Sequence, residues 1–524
     1  MTSLNIIFIV CLFLGVLCCG TIAIFRILGP SGNITRHKGF WPALILCLAA
    51  LLSRIEAPPQ MHVDFYGYDT VAQNILYHGL PAATIKGSVL CPEVFSLPWR
   101  PLGYSLLLAM GYCVTGSTKV APFLINILLG FLSVGLLYRI AWLFFRDNVV
   151  AACAAAILAF LPLHIKYSAV LTADVAGLFF FLMSVMFFGE WIYRRWEILA
   201  YAAIFSGCFS VYVKPEYGII FLIGFCLFLK FNEKQGSLKT KQCHDVIYIC
   251  SCLLLPLIIM VPRLIAGECL NARGAFFSLG HMKDHLWPNI IYIFGGDFGY
   301  ISSGLFIFGI THILLKKRDN IGHWLLIWYL FGLLLISGYF AGSMNELSLG
   351  RHFFLIILPF ILVAGWGWGC ILRQFRNKTL FIAVCLAVLV MNGIKIAERW
   401  NGFRDRQAVL MGTDLMRQQW EFFHRVALKA PEDAYTICPS FPWQLLVSKT
   451  NKVIFSGLFS KGDMPDKIVY LKGIEYFGDQ EETHKRILEF YRCKPLLKMP
   501  LTNSTSILEA DFCERKKKGP GPSF

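Results

Sequence analysis

Residues 120–143 read VAPFLINILLGFLSVGLLYRIAWL. These 24 residues carry one charge, Arg139, near their end. At 1.5 Å per residue such a helix is about 36 Å long, enough to cross the roughly 30 Å hydrocarbon core of a bilayer. Runs of this kind recur on both sides of it. Hydropathy predicts spans at about 4–28, 40–55, 120–143, 149–165, 171–189, 198–213, 216–230, 246–266, 290–315, 322–341, 352–372 and 379–397. Segment 101–117 is also apolar, but it is short and carries Gly103, Gly111 and Gly116. After Ala397 the apolar runs stop.

Composition agrees with this reading. The chain has 524 residues, 56% hydrophobic, 15% aromatic and 15% charged, with mean hydropathy +0.60. Soluble domains are about 45–50% apolar and about 25% charged. An ordinary cytosolic enzyme, a disordered chain and a secreted disulfide scaffold are therefore excluded, and the class is an α-helical polytopic membrane protein. The net charge of +16 comes from 48 Lys+Arg against 32 Asp+Glu. In a soluble protein it would suggest nucleic acid. Here the cations collect in short loops between spans, as the positive-inside rule expects, and no nucleic-acid partner is implied.

Most of the 18 cysteines sit inside apolar runs, where cysteine behaves as a small hydrophobe. No CxxC pair or zinc spacing is present. Cys438, Cys493 and Cys513 lie in the polar tail, and three candidates do not define a pair. Residues 1–28 lack a basic n-region and an A-x-A-like cleavage site, so they read as a retained helix rather than a signal peptide.

Basic loops orient the spans. Arg26, Arg36 and Lys38, then Lys230–Lys241, Lys316–Arg318 and Arg373–Lys378 mark cytoplasmic loops. Loops 56–100, 166–171, 267–289 and 342–351, the 213–216 corner and the tail then face outward. This parity requires 101–117 to dip into the outer side or lie along it, as a re-entrant or juxtamembrane segment. Residues 1–397 form the transmembrane domain, and 398–524 a small extracytoplasmic α/β domain. In the latter, Ala434–Cys438, Lys452–Phe455 and Lys467–Leu471 read as strands, Phe441–Lys449 and Glu481–Tyr491 as helices, and Lys498–Leu501 and Ile507–Phe512 as further strands.

Chemistry-bearing residues concentrate in the outward loops. Loop 56–100 reads Met61-His-Val-Asp64-Phe-Tyr-Gly-Tyr68-Asp69, continues through Thr70–His78, and ends Pro98-Trp-Arg100-Pro-Leu-Gly-Tyr104. The spacing predicts a short interfacial helix over Thr70–His78 with Asp69 as its N-cap. Asp64 has no such local duty and is the better candidate base. Arg100 offers either a snorkelling guanidinium or a planar fork for phosphate. Asp174 lies one turn inside an apolar helix, where a carboxylate is costly. Lys214-Pro-Glu216 breaks an apolar stretch at an outer corner, and Arg351-His352 opens the span at 352–372. His281 and His285 come without a metal-site signature.

In this order, the motifs resemble the membrane glycosyltransferases of the GT-C class. The likeness is to the family-39-like group, which includes the protein O-mannosyltransferases and the lipid A aminoarabinose transferases. The acid-bearing first outer loop is Asp64…Tyr68, followed by the basic-Pro entry Arg100-Pro-Leu-Gly-Tyr104. Pro162–Ser168 precedes Thr172-Ala-Asp174, Lys214-Pro-Glu216 supplies the Lys-Pro-Glu corner, and Arg351-His352…Leu358-Pro359 the late Arg-aromatic motif. The likeness runs in order through residues 56–397. The N-terminal helix 4–28, Arg100 in place of Lys, and Leu102 in place of a second proline depart from the pattern.

The resemblance implies a polyprenyl-phosphate sugar donor, an envelope lipid, glycan or protein acceptor, and a site facing outward from the plasma (inner) membrane among membrane lipids. It implies Asp64 as base, since phosphate is a fair leaving group and one base suffices. Arg100, Lys214 and Arg351 would hold lipid phosphate, with Tyr68, Asp69, Tyr104, Asp174, Glu216 and His352 positioning substrate. The scheme requires no cofactor. A divalent metal, which oligosaccharyltransferases use, is compatible with it but not favoured. The alternatives are a lipid-linked sugar transporter or flippase and a non-glycosyl membrane transferase. Charges near the outer helix ends rather than at mid-membrane speak against the transporter.

Overall fold

The protein is described by a computed structural model. It describes residues 13–22, 40–55, 63–88, 90–96, 101–116, 120–218, 278–294, 298, 300–315, 320–338, 350–374, 422, 425–438, 452–455, 464–472, 480–500 and 507–516. The chain divides into two units. One comprises residues 1–3, 62–118 and 397–524, and the other residues 4–61 and 119–396. The expected spans over 216–230, 246–266 and 379–397 lie largely or wholly outside the described residues, as does the expected helix Phe441–Lys449.

The second unit is helical. Its described elements are α1 (Phe13–Ile22) and α2 (Phe40–Ile55), then, after α3 (Val63–His78) and α4 (Leu102–Thr115) of the other unit, α5 (Ala121–Phe145), α6 (Asn148–Phe160), α7 (Pro162–Ala169), α8 (Asp174–Arg194), α9 (Glu197–Val213), α10 (Leu279–Phe294), α11 (Tyr300–Leu315), α12 (Asn320–Gly338) and α13 (Phe354–Gln374). Among the described residues, Ala121–Phe145, Asp174–Arg194, Ile321–Gly338 and Phe354–Arg373 are long and apolar enough to cross a membrane. The pair α6 and α7 makes a fifth if read as one span bent by 51°.

Local chemistry sets the helix ends. The Asp147 carboxylate caps α6, accepting from Val149 N at 2.7 Å and Val150 N at 3.2 Å, which satisfies free first-turn donors. Pro162 then starts α7, since proline suits a first helical position but interrupts an interior. The single span expected over 149–165 is for this reason two helices. Within the span expected over 290–315 the described residues form two helices, the end of α10 and all of α11. Close crossing of α11 and α13 needs small residues. A Cβ on Gly309 would collide with the Val363 carbonyl, and one on Gly367 with that of Leu305.

The first unit contains α3 (Val63–His78), β1 (Ala83–Gly87), β2 (Pro92–Ser96), α4 (Leu102–Thr115), β3 (Tyr435–Cys438), β4 (Lys452–Phe455), β5 (Lys467–Lys472), α14 (Gln480–Phe490), β6 (Tyr491–Pro500) and β7 (Ile507–Arg515). Its seven strands form one sheet in the order β2-β1-β4-β3-β5-β7-β6. β3 pairs in parallel with β4 and β5, and the remaining pairs are antiparallel. Its core gathers Phe422, Val426, Ile437, Ile454, Ile468, Leu471 and Ile487. Loop 56–100, in which the sequence predicts only a short helix, thus supplies two strands, and β1 pairs with β4 through Lys86↔Ile454 and Gly87↔Val453. Cys493 and Cys513 stand opposite each other on β6 and β7 and are joined by a disulfide.

One expectation is overturned outright. The helix expected to begin at Thr70 begins at Val63, so Asp69 lies inside it rather than capping it. Tyr68, Val71 and Ala72 are all buried, the i, i+3, i+4 spacing of one helix face. Burying that face extends the helix through Gly67.

Candidate functional site

In the helical unit, α8 and α9 are packed neighbours joined by a short connection. The start of α8 therefore meets the end of α9. Asp174 is the first residue of α8 and Lys214 the C-cap of α9. Both are buried, at 2% and 8% exposure, and Lys214 Nζ donates to Asp174 Oδ1. Asp174 also sits where the helix dipole favours an anion. The ammonium has three donors. Among the described residues, Asp174 is its acceptor.

Pro215 opens a 3-10 turn, Pro215–Tyr217, that folds the corner back. Tyr217 stacks on Phe181 at 5.2 Å and 19°. Room for this comes from Gly177, where a Cβ would stand 2.7 Å from the Tyr217 ring and 3.2 Å from Lys214 Cβ. Glu216 Oε1 lies 3.9 Å from His352 Nδ1, and His352 is buried. Around this corner, Thr172 Oγ1, Glu216 Oε2 and Tyr217 Oη are buried with no hydrogen-bond partner among the described residues. Unsatisfied buried polar atoms are rare and costly in folded proteins, so several around one corner mark a place built for more than packing.

The approach to Asp174 is held from two sides. Asn126 Nδ2 donates to Val170 O at 2.9 Å and Thr172 O at 3.1 Å. Arg54, fully buried on α2, donates to Ala159 O, Ser168 Oγ and His164 Nδ1 at 3.2, 3.2 and 2.5 Å. His164 Nδ1 therefore accepts, and its Nε2 carries the proton. Neither Arg54 nor Asn126 was apparent as a site residue. The available signal was an arginine inside an apolar span, costly enough to demand a partner.

In the other unit, α3 is fastened to α4. Tyr68 meets Tyr104 edge to face at 5.1 Å and 87°. Ser105 Oγ donates to Tyr68 O at 3.0 Å. Tyr112 Oη donates to Asp69 Oδ1 at 2.5 Å, and Gln73 Nε2 to Asp69 Oδ2 at 2.7 Å. Burial pushes the Asp69 carboxyl up to about 7, against the lowering effect of these two hydrogen bonds. Fully buried, Asp69 is directed at α4, a positioning duty. Asp64 is the second residue of α3. Arg351 lies in the 3-10 turn Gly350–Phe353, and Arg100 lies outside the described residues.

The structure thus brings together Asp174 with Lys214, Glu216 with His352, and Tyr68 with Tyr104. His281 and His285 stack at 5.7 Å. Among the described residues, no group of three or more His, Cys, Asp or Glu gathers as a metal site would require.

Residues 99–265 match the family model of the dolichyl-phosphate-mannose-protein mannosyltransferases. Among curated proteins none matches the sequence. Solved structures share the fold over most of the chain. ArnT from Cupriavidus metallidurans in the apo state has a TM-score of 0.55 at 12% identity, covering 90% of this chain and 97% of that one. The same protein bound to undecaprenyl phosphate gives 0.52 at 12%, covering 90% and 96%. The Archaeoglobus fulgidus oligosaccharyltransferase, tethered to an acceptor peptide containing the NVT sequon, gives 0.53 at 13%, covering 90% and 74%. The fold is that of the GT-C membrane glycosyltransferases, as the order of motifs led us to expect.

Proposed function

We propose that this chain, a membrane glycosyltransferase of the GT-C fold, moves a sugar from a polyprenyl-phosphate donor to a lipid, glycan or protein acceptor on the outer face of the plasma (inner) membrane. The observation that carries this reading is the mannosyltransferase family match over residues 99–265, which contain the buried Asp174–Lys214 corner. The fold adds support, because the similar ArnT was solved with undecaprenyl phosphate.

In this reading Asp64 takes the proton from the acceptor hydroxyl. The acceptor oxygen forms its bond to the anomeric carbon as the bond from that carbon to the phosphate oxygen breaks. The electron pair leaves on the lipid phosphate. Cations must stabilise that growing charge. Asp174 holds Lys214 by one ammonium hydrogen, leaving two for phosphate oxygens, and Arg100 and Arg351 add their planar forks. Tyr68 and Tyr104 shape the acceptor side, with Glu216 and His352 beside the phosphate. The cations supply the charge, so the scheme needs no cofactor.

The disulfide Cys493–Cys513 supports an outward-facing tail, since such bonds persist in oxidising compartments.

The test is to incubate membranes containing the chain with a panel of radiolabelled polyprenyl-phosphate sugars, wild type beside Asp64→Asn. Label that leaves the lipid in wild type and stays on it in Asp64→Asn is the expected result. An active Asp64→Asn enzyme would overturn Asp64 as base. Label that changes leaflet without covalent transfer would replace the transferase reading with a flippase.

A further inference from the structure

α8 is 21 residues long, about 32 Å at 1.5 Å per residue. Asp174 opens it and Arg194 closes it, so a second cluster lies a bilayer thickness from the Asp174–Lys214 corner. It is built at the ends of α5 and α8. Both helices are C-capped by an arginine in the left-handed region, Arg146 at φ 54° and Arg195 at φ 59°. Among the described residues these are the two non-glycine residues with positive φ. Glycine is the usual residue at such a cap. A favourable interaction with the helix dipole needs only a cation somewhere in the last turn, so it does not explain arginine at this strained backbone position twice.

The Arg146 guanidinium lies between two aromatic faces, 4.6 Å from the Trp142 ring and 4.2 Å from that of Tyr193. Its side chain is exposed, and among the described residues its charged N–H groups meet no acceptor. Neighbouring charges leave it unneutralised. The buried Glu190 carboxylate is shared by Arg139 and Arg194, and Asp147 is taken by Arg373 and by the cap of α6. Exposed Glu197 stands in the first turn of α9, where it suits the dipole of that helix. A guanidinium held between two aromatic rings on an exposed side chain offers its planar fork of donors to phosphate oxygens. Trp142 and Tyr193 are also the residue types that gather at headgroup depth.

We propose that Arg146, clamped between Trp142 and Tyr193, binds the headgroup phosphate of an anionic phospholipid at the membrane face opposite the Asp174–Lys214 corner. The site does not depend on the glycosyl-transfer reading. It commits to a lipid rather than free phosphate, because the aromatic clamp closes the long apolar helix α5, whose flank Leu124, Leu128 and Leu132 is exposed.

The test uses the purified full-length chain in detergent, titrated with phosphatidylglycerol, phosphatidylcholine or inorganic phosphate and read by native mass spectrometry. Wild type should retain phosphatidylglycerol in preference to phosphatidylcholine, and inorganic phosphate should not displace it. Arg146→Gly should bind phosphatidylglycerol about fivefold more weakly, the effect of one basic residue near the surface. Its lipid-free thermal midpoint should not fall, because glycine adopts φ 54° freely. Tyr193→Leu keeps the charge, removes one face of the clamp and should also weaken binding. The proposal is overturned if Arg146→Gly and Tyr193→Leu both bind phosphatidylglycerol as wild type does. Equal retention of phosphatidylcholine, or displacement by inorganic phosphate at the lipid's own concentration, would overturn it as well.

Discussion

The buried Asp69 carboxyl makes the stability of the α3–α4 contact depend on pH in an unusual direction. Its pKa is pushed from 3.8 to about 7 in the folded chain. Between those values the folded state binds the proton that the unfolded state has released, so stability falls as pH rises. The contribution is fully present below about 3.8 and is lost by the time pH has passed about 7. From pH 5 to 7 the loss is about 2 kcal/mol, since the slope of 1.36 kcal/mol per pH unit halves as pH reaches the folded value. For a unit of roughly 190 residues that corresponds to a melting-temperature drop of about 4–8 °C. Asp69→Asn should abolish the dependence while keeping the contacts. Its carbonyl accepts from Tyr112, and its amide can donate to Gln73 Oε1, which is buried without a partner, once the Gln73 amide rotates. The assay is thermal unfolding of the full-length protein in detergent from pH 5 to pH 8, wild type beside Asp69→Asn. A wild-type profile that is flat or rises with pH would refute the reasoning, as would a fall of equal size in the variant.

Three further outcomes follow from the same geometry. Lys214→Met strands the buried Asp174 carboxylate and should cost about 3–5 kcal/mol, whereas adding Asp174→Asn should recover much of it. Thermal unfolding of the single and double variants measures this, and transfer activity should be lost in both. Gly177→Ala drives a methyl into Tyr217 and Lys214 and should destabilise by about 1–3 kcal/mol, lowering activity more than Gly135→Ala, which approaches one sulfur at 3.2 Å. Cys493→Ser opens a loop of sequence separation 20 and should cost about 3 kcal/mol. The faster cleavage of its tail under limited proteolysis should match that of reduced wild type.

The helices were legible where hydropathy alone decides them. The apolar runs at 40–55, 120–143 and 198–213 correspond to Phe40–Ile55, Ala121–Phe145 and Glu197–Val213. Tail strands Lys452–Phe455 and Lys467–Lys472 followed from β-branched alternation. What stayed hidden depends on distant partners. Ala83–Gly87 is an unremarkable pentapeptide until Ile454 pairs with it, and the Asp69 position in a helix is set by Tyr112 on another element. Lys214 and Asp174 were both visible as misplaced charges in apolar sequence, but their union rests on α8 and α9 running side by side.

Arg54 shows how the interior of the helical unit can afford the break that leads to Asp174. In an unbroken helix the amide of residue 162 would donate to Leu158 O and that of Leu163 to Ala159 O. Proline at 162 removes the first donor, and the 51° bend takes away the second. Arg54 stands at those two carbonyls, with Nη2 3.5 Å from Leu158 O and Nη1 3.2 Å from Ala159 O. Its charge lies at the negative end of the α6 dipole, and its remaining donors fasten His164 and Ser168 of α7. Together with the Leu161 N–H, which also donates to Leu158 O at 3.4 Å, Arg54 thereby stands in for the lost donors and ties α7 to α2. Gly130 leaves the space for this, since a Cβ there would collide with Ser168 Oγ and stand 3.1 Å from Arg54 Nε. Asn126, one turn away on the same helix, then holds the carbonyls of Val170 and Thr172 just before Asp174. The carboxylate that receives Lys214 is thus positioned by residues about 50 and 120 positions earlier in the chain, through backbone carbonyls that carry no trace in the identity of the residues they belong to.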